Sequence, residues 1–375
     1  MAQRLWTRTE DFHINKGETA VKKASLMFGA LAMCGLARAQ SSVTLYGSTD
    51  VGLGYFNNAG AGAKVTTVNT MQPDRFGLLG SEDIGSGMKV IFRLESGFST
   101  STGAMTTPGV IFNRQAYVGI SDDPIGTLTL GRQTPFSYDW LGPLSSAYLT
   151  ADWYMFHPGN IDELAATGVV PYQNSAKFVS QRWGGLAVGA MLGLGNTTNF
   201  GYGRNLSLGA EYEKGPLKLA ATYADEHNRT PQISTLGLVS FQGQPAATYS
   251  ADRVQNMGAG GSYTIGLFTL HALFTLVKLQ SGEQSSIYQT YDAGVTYQAT
   301  PAYSLAFGAT TTRLSPARYT ELSLGNVYAL SKNTQLYADA VFETATGGAK
   351  AAIYTVGASS TRNQLGFLAG IHHGF

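Results

Sequence analysis

The chain of 375 residues holds one cysteine, 12 prolines and only 13% charged side chains. Nowhere does it approach the roughly 20 unbroken apolar residues that a membrane helix requires. Each shortage excludes a class. A lone Cys34 rules out a disulfide-stapled secreted fold. The missing apolar run rules out a helical membrane protein, although hydrophobic residues reach 43% and must therefore be dispersed. A formal charge of +1 offers no basic face for a nucleic-acid partner. What is abundant is glycine, at 46, with 20 tyrosines and 18 phenylalanines, a composition of strands and turns rather than helices.

Reactive constellations are also scarce. "NLSLG" at 205–209 and "ELSLG" at 321–325 lack the first glycine of a nucleophile elbow. No H-E-x-x-H or C-x-x-C spacing occurs, and His372 and His373 fall on opposite faces of one strand, so neither a metal site nor a cofactor is expected.

The stretch "VKKASLMFGALAMCGLARAQ" reads as a secretory signal: Lys22 and Lys23, an apolar core, then Ala37-Arg38-Ala39 as cleavage site. Residues 21–39 are the expected signal and 40–375 the expected mature domain. Residues 1–20 carry Glu10, Asp11 and Glu18 where signals are basic, which suggests an upstream extension with the true start at Val21. Removing residues 1–39 takes away six basic and three acidic side chains, leaving 19 against 21.

Within 40–375 the dominant period is two. In "VTLYGSTDVGLGYF", Val43, Leu45, Val51, Leu53 and Tyr55 share one face, while Thr44, Ser48, Asp50, Gly52 and Gly54 share the other. Sixteen such segments recur: 43–57, 71–82, 88–98, 112–121, 127–134, 172–181, 186–195, 204–212, 217–226, 253–263, 268–279, 288–298, 303–313, 318–329, 335–343 and 363–375. Their connections alternate between tight turns such as "EDIGSG", "DDPIG" and "EKGP" and long stretches such as 135–171, 227–252 and 344–362. An even strand number, segments near 10 residues and one short-turn end predict an all-β, antiparallel transmembrane barrel. Lipid tolerates no open sheet edge, so the last strand should close on the first. The ending "QLGFLAGIHHGF" keeps its alternation to Phe375, which should sit at the short-turn rim with its ring in the interfacial belt.

Polar residues of such strands must face an interior. The period places Arg75, Arg93, Lys89 and Glu95 there, since Arg or Lys facing lipid at mid-depth costs about 2–4 kcal/mol. Ser48 and Asp50 are expected to line the same space. A segment as long as 135–171 is functional more often than not. Folded inward, it would bring Asp139, Asp152, Asp162 and Glu163 opposite the wall arginines. A soluble β adhesin, a substrate-specific channel and a barrel enzyme using His157 or His227 with converging serine and acid are the competing readings.

Several stretches together carry a family resemblance: "SSVTLYGSTDVGLGY", "DRFGLLGSEDIGSGMKVIFRLESGF" at 74–98, "FNRQAYVGI" at 112–120, "GTLTLGRQ" at 126–133, "NSAKF" at 174–178 and the closing "GIHHGF". With them the chain resembles a Gram-negative trimeric general diffusion porin of the betaproteobacterial type. The resemblance implies a 16-stranded barrel with an inward third loop and a homotrimer in an outer membrane containing lipopolysaccharide. It further implies passive diffusion of ions and small hydrophilic solutes, and a C-terminal aromatic, here Phe375, read by the barrel-assembly machinery.

In that family a basic wall faces an acidic loop, and Arg75 and Arg132 match two basic positions. Leu79 and Ser48 stand where other members carry a basic residue, and the arginine before "NS" is absent, with Lys177 as the nearest substitute. Fewer basic matches imply weaker anion preference. Arg132 shares parity with the outward Leu128 and Leu130, so a bulge at Gly131 is needed to turn it inward.

Overall fold

The computed structural model describes residues 41–60, 62–166 and 170–375. The expected extension at 1–20 and signal at 21–39 lie outside the described residues. Sixteen strands form one antiparallel sheet. They are β1 (Ser42–Phe56), β2 (Arg75–Gly85), β3 (Met88–Gly97), β4 (Gln115–Asp122), β5 (Gly126–Gln133), β6 (Tyr172–Ser180), β7 (Leu186–Gly193) and β8 (Asn205–Lys214). They continue as β9 (Leu217–Arg229), β10 (Ala251–Ile265), β11 (Phe268–Ser281), β12 (Gln284–Thr300), β13 (Tyr303–Leu314), β14 (Ala317–Ala329), β15 (Thr334–Thr346) and β16 (Asn363–Gly374). Each pairs with its sequence neighbour, and β16 closes the sheet on β1 in a register running from Ser48↔Gly374 to Phe56↔Gly366. A short strand, Lys64–Val68, adds to the far half of β1 without joining the wall elsewhere.

Closure extends to the last residue. Gly47 N–H donates to the Phe375 carbonyl at 2.9 Å, and Phe375 N–H returns a bond to Gly47 at 3.0 Å. The Phe375 ring lies over Gly47, where any Cβ would collide with it. Phe375 shares its outward parity with the exposed Phe367 and Ile371.

The outer surface carries the apolar side of the alternation: Val43, Leu45 and Leu53 are each more than 60% exposed. Trp183, Tyr263, Phe268 and Tyr328 lie exposed beside the short turns, with Phe268 stacked on Tyr297, as an interfacial aromatic belt requires. Tight connections gather at the end that holds Phe375. The opposite end is less uniform than the sequence suggests. There, β11–β12 and β13–β14 also turn within two residues, and β10–β15 run 12–17 residues instead, so the wall rises where loops were expected.

The interior is only partly polar. Residues 135–166 enter the barrel and build a core of Leu141, Leu144, Met155, Phe156 and Leu164 against inward-facing Leu273, Val341 and Leu368. A second core joins Ile233, Leu236 and Tyr249 to inward-facing Val277, Leu279 and Tyr288. This explains why the inner faces of β10–β15 alternate less clearly in sequence than those of β1–β3. Burying an apolar side chain contributes about 1.5–3 kcal/mol, so the inward segment is held by packing as well as by polar contacts.

Candidate functional site

One wall of the interior is basic. On β3, Arg93 Nη2 meets Glu95 Oε2 at 2.6 Å and Arg93 Nε donates to Tyr46 Oη at 2.7 Å, while the Tyr46 hydroxyl donates to Glu95 at 2.7 Å. Arg114, at the entry to β4, donates to the other Glu95 oxygen at 2.6 Å. Glu95 is thus a buried carboxylate between two guanidiniums. Arg75, at the start of β2, donates to Gln72 at 2.6 Å. Across from these lie Tyr138, Asp139 and Tyr148 of the inward segment. Together they line a space of about 230 Å³ with Arg75, Arg93 and Arg114.

Lys177 and Asp139 form an ion pair. Lys177 Nζ also donates to the Thr134 carbonyl at 2.9 Å and sits 4.5 Å from the Phe136 ring centroid. Arg114 reaches the same segment through the Ala166 carbonyl at 3.3 Å and Tyr138 Oη at 3.3 Å. Arg132 donates to the Asn113 carbonyl at 2.8 Å. A bulge between Gly131 and Gln133, with Gly131 at φ +140°, interrupts the parity that would aim Arg132 outward.

The other acids named from sequence sit elsewhere. Asp162 is fully buried behind the inward segment, accepting from Thr275 at 2.7 Å and pairing with His157 Nδ1 at 2.5 Å. It faces the far wall rather than the arginines, because the segment turns its apolar side and Asp162 together toward β11 and β12. His157 Nε2 meets Asp292 of β12 at 3.2 Å, and Asp292 also receives Ser146 N–H at 2.8 Å. Burial alone would lower the His157 pKa, but Asp162 and Asp292 outweigh it and raise it to about 10. The segment is fastened further by Thr296 to the Leu149 carbonyl at 2.6 Å and Asn256 to the Asp162 carbonyl at 2.6 Å. Small residues let it approach: a Cβ on Gly209 would meet the Trp140 ring at 2.6 Å, and one on Gly325 the Thr150 carbonyl at 2.5 Å.

Asp152 is equally buried, accepts Tyr154 N–H at 3.0 Å and lies near Asp339 instead of any arginine. Burial raises it to about 7. Glu163 pairs with Arg229 at 2.9 Å on β9, a cation the sequence reading did not select. Asp50 does not line open space. Its carboxylate accepts the N–H groups of Thr70, Met71 and Gln72 and the Tyr337 hydroxyl, organising the chain that leads into β2. Ser48 is buried beside it, donating to the Pro73 carbonyl at 3.3 Å.

Ser146, His271 and Asp292 do converge, with Ser146 Oγ 2.9 Å from His271 Nε2. The set is sealed: all three are at most 5% exposed, and Ser146 Oγ donates to Asp292. Among the described residues, no acid hydrogen-bonds His271 Nδ1 to orient it as a base. The arrangement fastens the inward segment to β11 and β12.

A family profile described as Gram-negative porin matches residues 24–348. An outer membrane porin protein of Bordetella pertussis is 30% identical over 274 residues, spanning 65% of this chain and 66% of that protein. Outer membrane porin protein 32 of Delftia acidovorans is 26% identical over 375 residues, spanning 95% of this chain and 100% of that protein. Among solved structures, an anion-selective porin from Comamonas acidovorans superposes with a TM-score of 0.76 at 21% identity, covering 90% of this chain and 100% of that one. The trimer form of OmpT from Vibrio cholerae gives 0.64 at 16% identity, covering 89% and 99%.

Proposed function

Because this chain belongs to the Gram-negative porin family, we infer that its barrel is a water-filled outer-membrane channel, narrowed by residues 135–171, for passive diffusion of ions and small hydrophilic solutes. The observation that carries this reading is the opposition of Arg75, Arg93 and Arg114 to Tyr138, Asp139 and Tyr148 across a polar space inside a closed barrel. Transport of this kind needs no turnover chemistry. The charges act as a fixed field in a confined aqueous path, ordering dipolar solutes and weighting ions by sign.

The sign follows from the groups present. Arg75, Arg93, Arg114 and Lys177 oppose Glu95 and Asp139, while Asp152 and Asp162 are withdrawn into the loop–wall seam. That balance supports a moderate preference for anions. The existence of a trimer form of the Vibrio cholerae protein supports a homotrimer here as well. Both are checked in one planar-bilayer experiment. In a tenfold KCl gradient the reversal potential should take the chloride sign, and closures should come in groups of three. A potassium-signed potential, or single independent closures throughout, would contradict the reading.

A further inference from the structure

A second cavity lies at the long-loop end of β6–β9, where the return of residues 135–171 meets the wall. Its volume is about 440 Å³, within the range of small-molecule sites. Among its lining residues are Glu163, Asn174, Asn196, Asn205, Glu226 and Arg229, none of which lines the space at Arg75, Arg93 and Arg114.

The rim amides of Asn174 and Asn196 are exposed, and both residues adopt positive φ, 48° and 54°. Asparagine tolerates that conformation well, so their backbone already accounts for them. The floor is different. Asn205 and Glu226 are more than nine-tenths buried, yet Asn205 Oδ1 and both Glu226 carboxylate oxygens have no hydrogen-bond donor, and Glu163 Oε2 has none either. Arg229 is engaged with Glu163 at 2.9 Å and stands 3.6 Å from Glu226. A protonated Glu163 and the Tyr172 hydroxyl are donors that face Glu226, which leaves Asn205 Oδ1 and Glu163 Oε2 as buried acceptors still to be met, and unmet acceptors of this kind are costly.

We propose that this cavity is a saturable subsite for neutral polyhydroxylated solutes of sugar size, an inference that rests on the channel reading above. Hydroxyl groups donate to the floor oxygens and accept from amide N–H groups on the rim, which a simple anion cannot do. The electrical balance favours a neutral ligand over an ammonium ion. Burial, together with the neighbouring Glu226 carboxylate, raises Glu163 to about 8 against the opposing effect of Arg229, so near neutral pH Glu163 is mainly protonated. Glu226 and Arg229 on β9 and the Tyr172 hydroxyl on β6 are the groups facing it.

The test uses saturation-transfer NMR on the purified full-length porin in a detergent without a sugar headgroup, with sucrose, mannitol and ethylenediammonium as probes. Sucrose and mannitol should give saturable transfer. Asn205→Leu should raise the half-saturating concentration about tenfold, the loss expected for one hydrogen bond to a buried group. Glu226→Gln should shift it in the same direction. KCl conductance of both variants in a planar bilayer serves as the check that the barrel is intact. Transfer with ethylenediammonium alone, unsaturable transfer with every probe, or a conducting Asn205→Leu variant that binds like the parent would overturn the proposal. If the parent protein itself gave no conductance steps, the channel reading would fall and this inference with it.

Discussion

Replacing His157 with leucine is expected to release residues 135–171 from the far wall and to raise single-channel conductance with added open-state noise. His157 is sealed between Asp162 at 2.5 Å and Asp292 at 3.2 Å. Removing it takes from the buried Asp162 and Asp292 carboxylates the imidazole that both contact. Breaking a buried pair in this way costs about 3–5 kcal/mol, comparable to what the packing of about two apolar side chains contributes. The same substitution should make the segment more susceptible to limited proteolysis than it is in the parent.

A pH dependence follows from the same group. Its pKa is raised to about 10 in the folded protein, against the 6.5 of a free imidazole. For a raised pKa, the linked stability is complete below about 6.5 and is lost as pH rises through about 10. Conductance noise of the parent should therefore grow between those limits. Unchanged conductance and unchanged proteolysis in His157→Leu would show that apolar packing alone holds the segment.

Glu95→Gln is expected to move the reversal potential further toward chloride. Glu95 is the carboxylate that both Arg93 and Arg114 contact at 2.6 Å, and its loss leaves Asp139 as the one acid among those groups. In a water-filled lumen a unit charge at roughly 5 Å acts on an ion with about 0.8 kcal/mol, or about fourfold in relative permeability. Glutamine retains the volume and one carbonyl acceptor, so the barrel should still assemble. A reversal potential equal to that of the parent would mean that ions do not pass the Arg93–Glu95–Arg114 group.

How much of this was legible beforehand differs by element. The sixteen strands were, because period-two alternation is a local signal and lipid enforces it on the outer face of every strand. Closure at Phe375 was legible for the same reason. Parity within β3 puts Arg93 and Glu95 on one face, and in the structure both meet the Tyr46 hydroxyl. Arg114 was not selected, although it lies in a stretch singled out for resemblance. Within the expected segment 112–121 it shares parity with the outward Val118 and Ile120, and it turns inward because β4 starts only at Gln115. The acids of 135–171 were read as one group because they share one segment. Their partners, Lys177 for Asp139, Asp292 near Asp162 through His157, and Arg229 for Glu163, lie on three different strands, and no local pattern reports those pairings. Asp50 was misplaced because its parity was right but its surroundings were not: the chain at Thr70–Gln72 covers it from inside the barrel.

The central claim is that this closed barrel encloses a continuous aqueous path beside residues 135–171. Single-channel recording of the purified protein in a planar bilayer tests it most directly. Stepwise insertions with a conductance that rises nearly in proportion to bulk KCl are the predicted result. Stable incorporation of the protein without any ionic steps would contradict it.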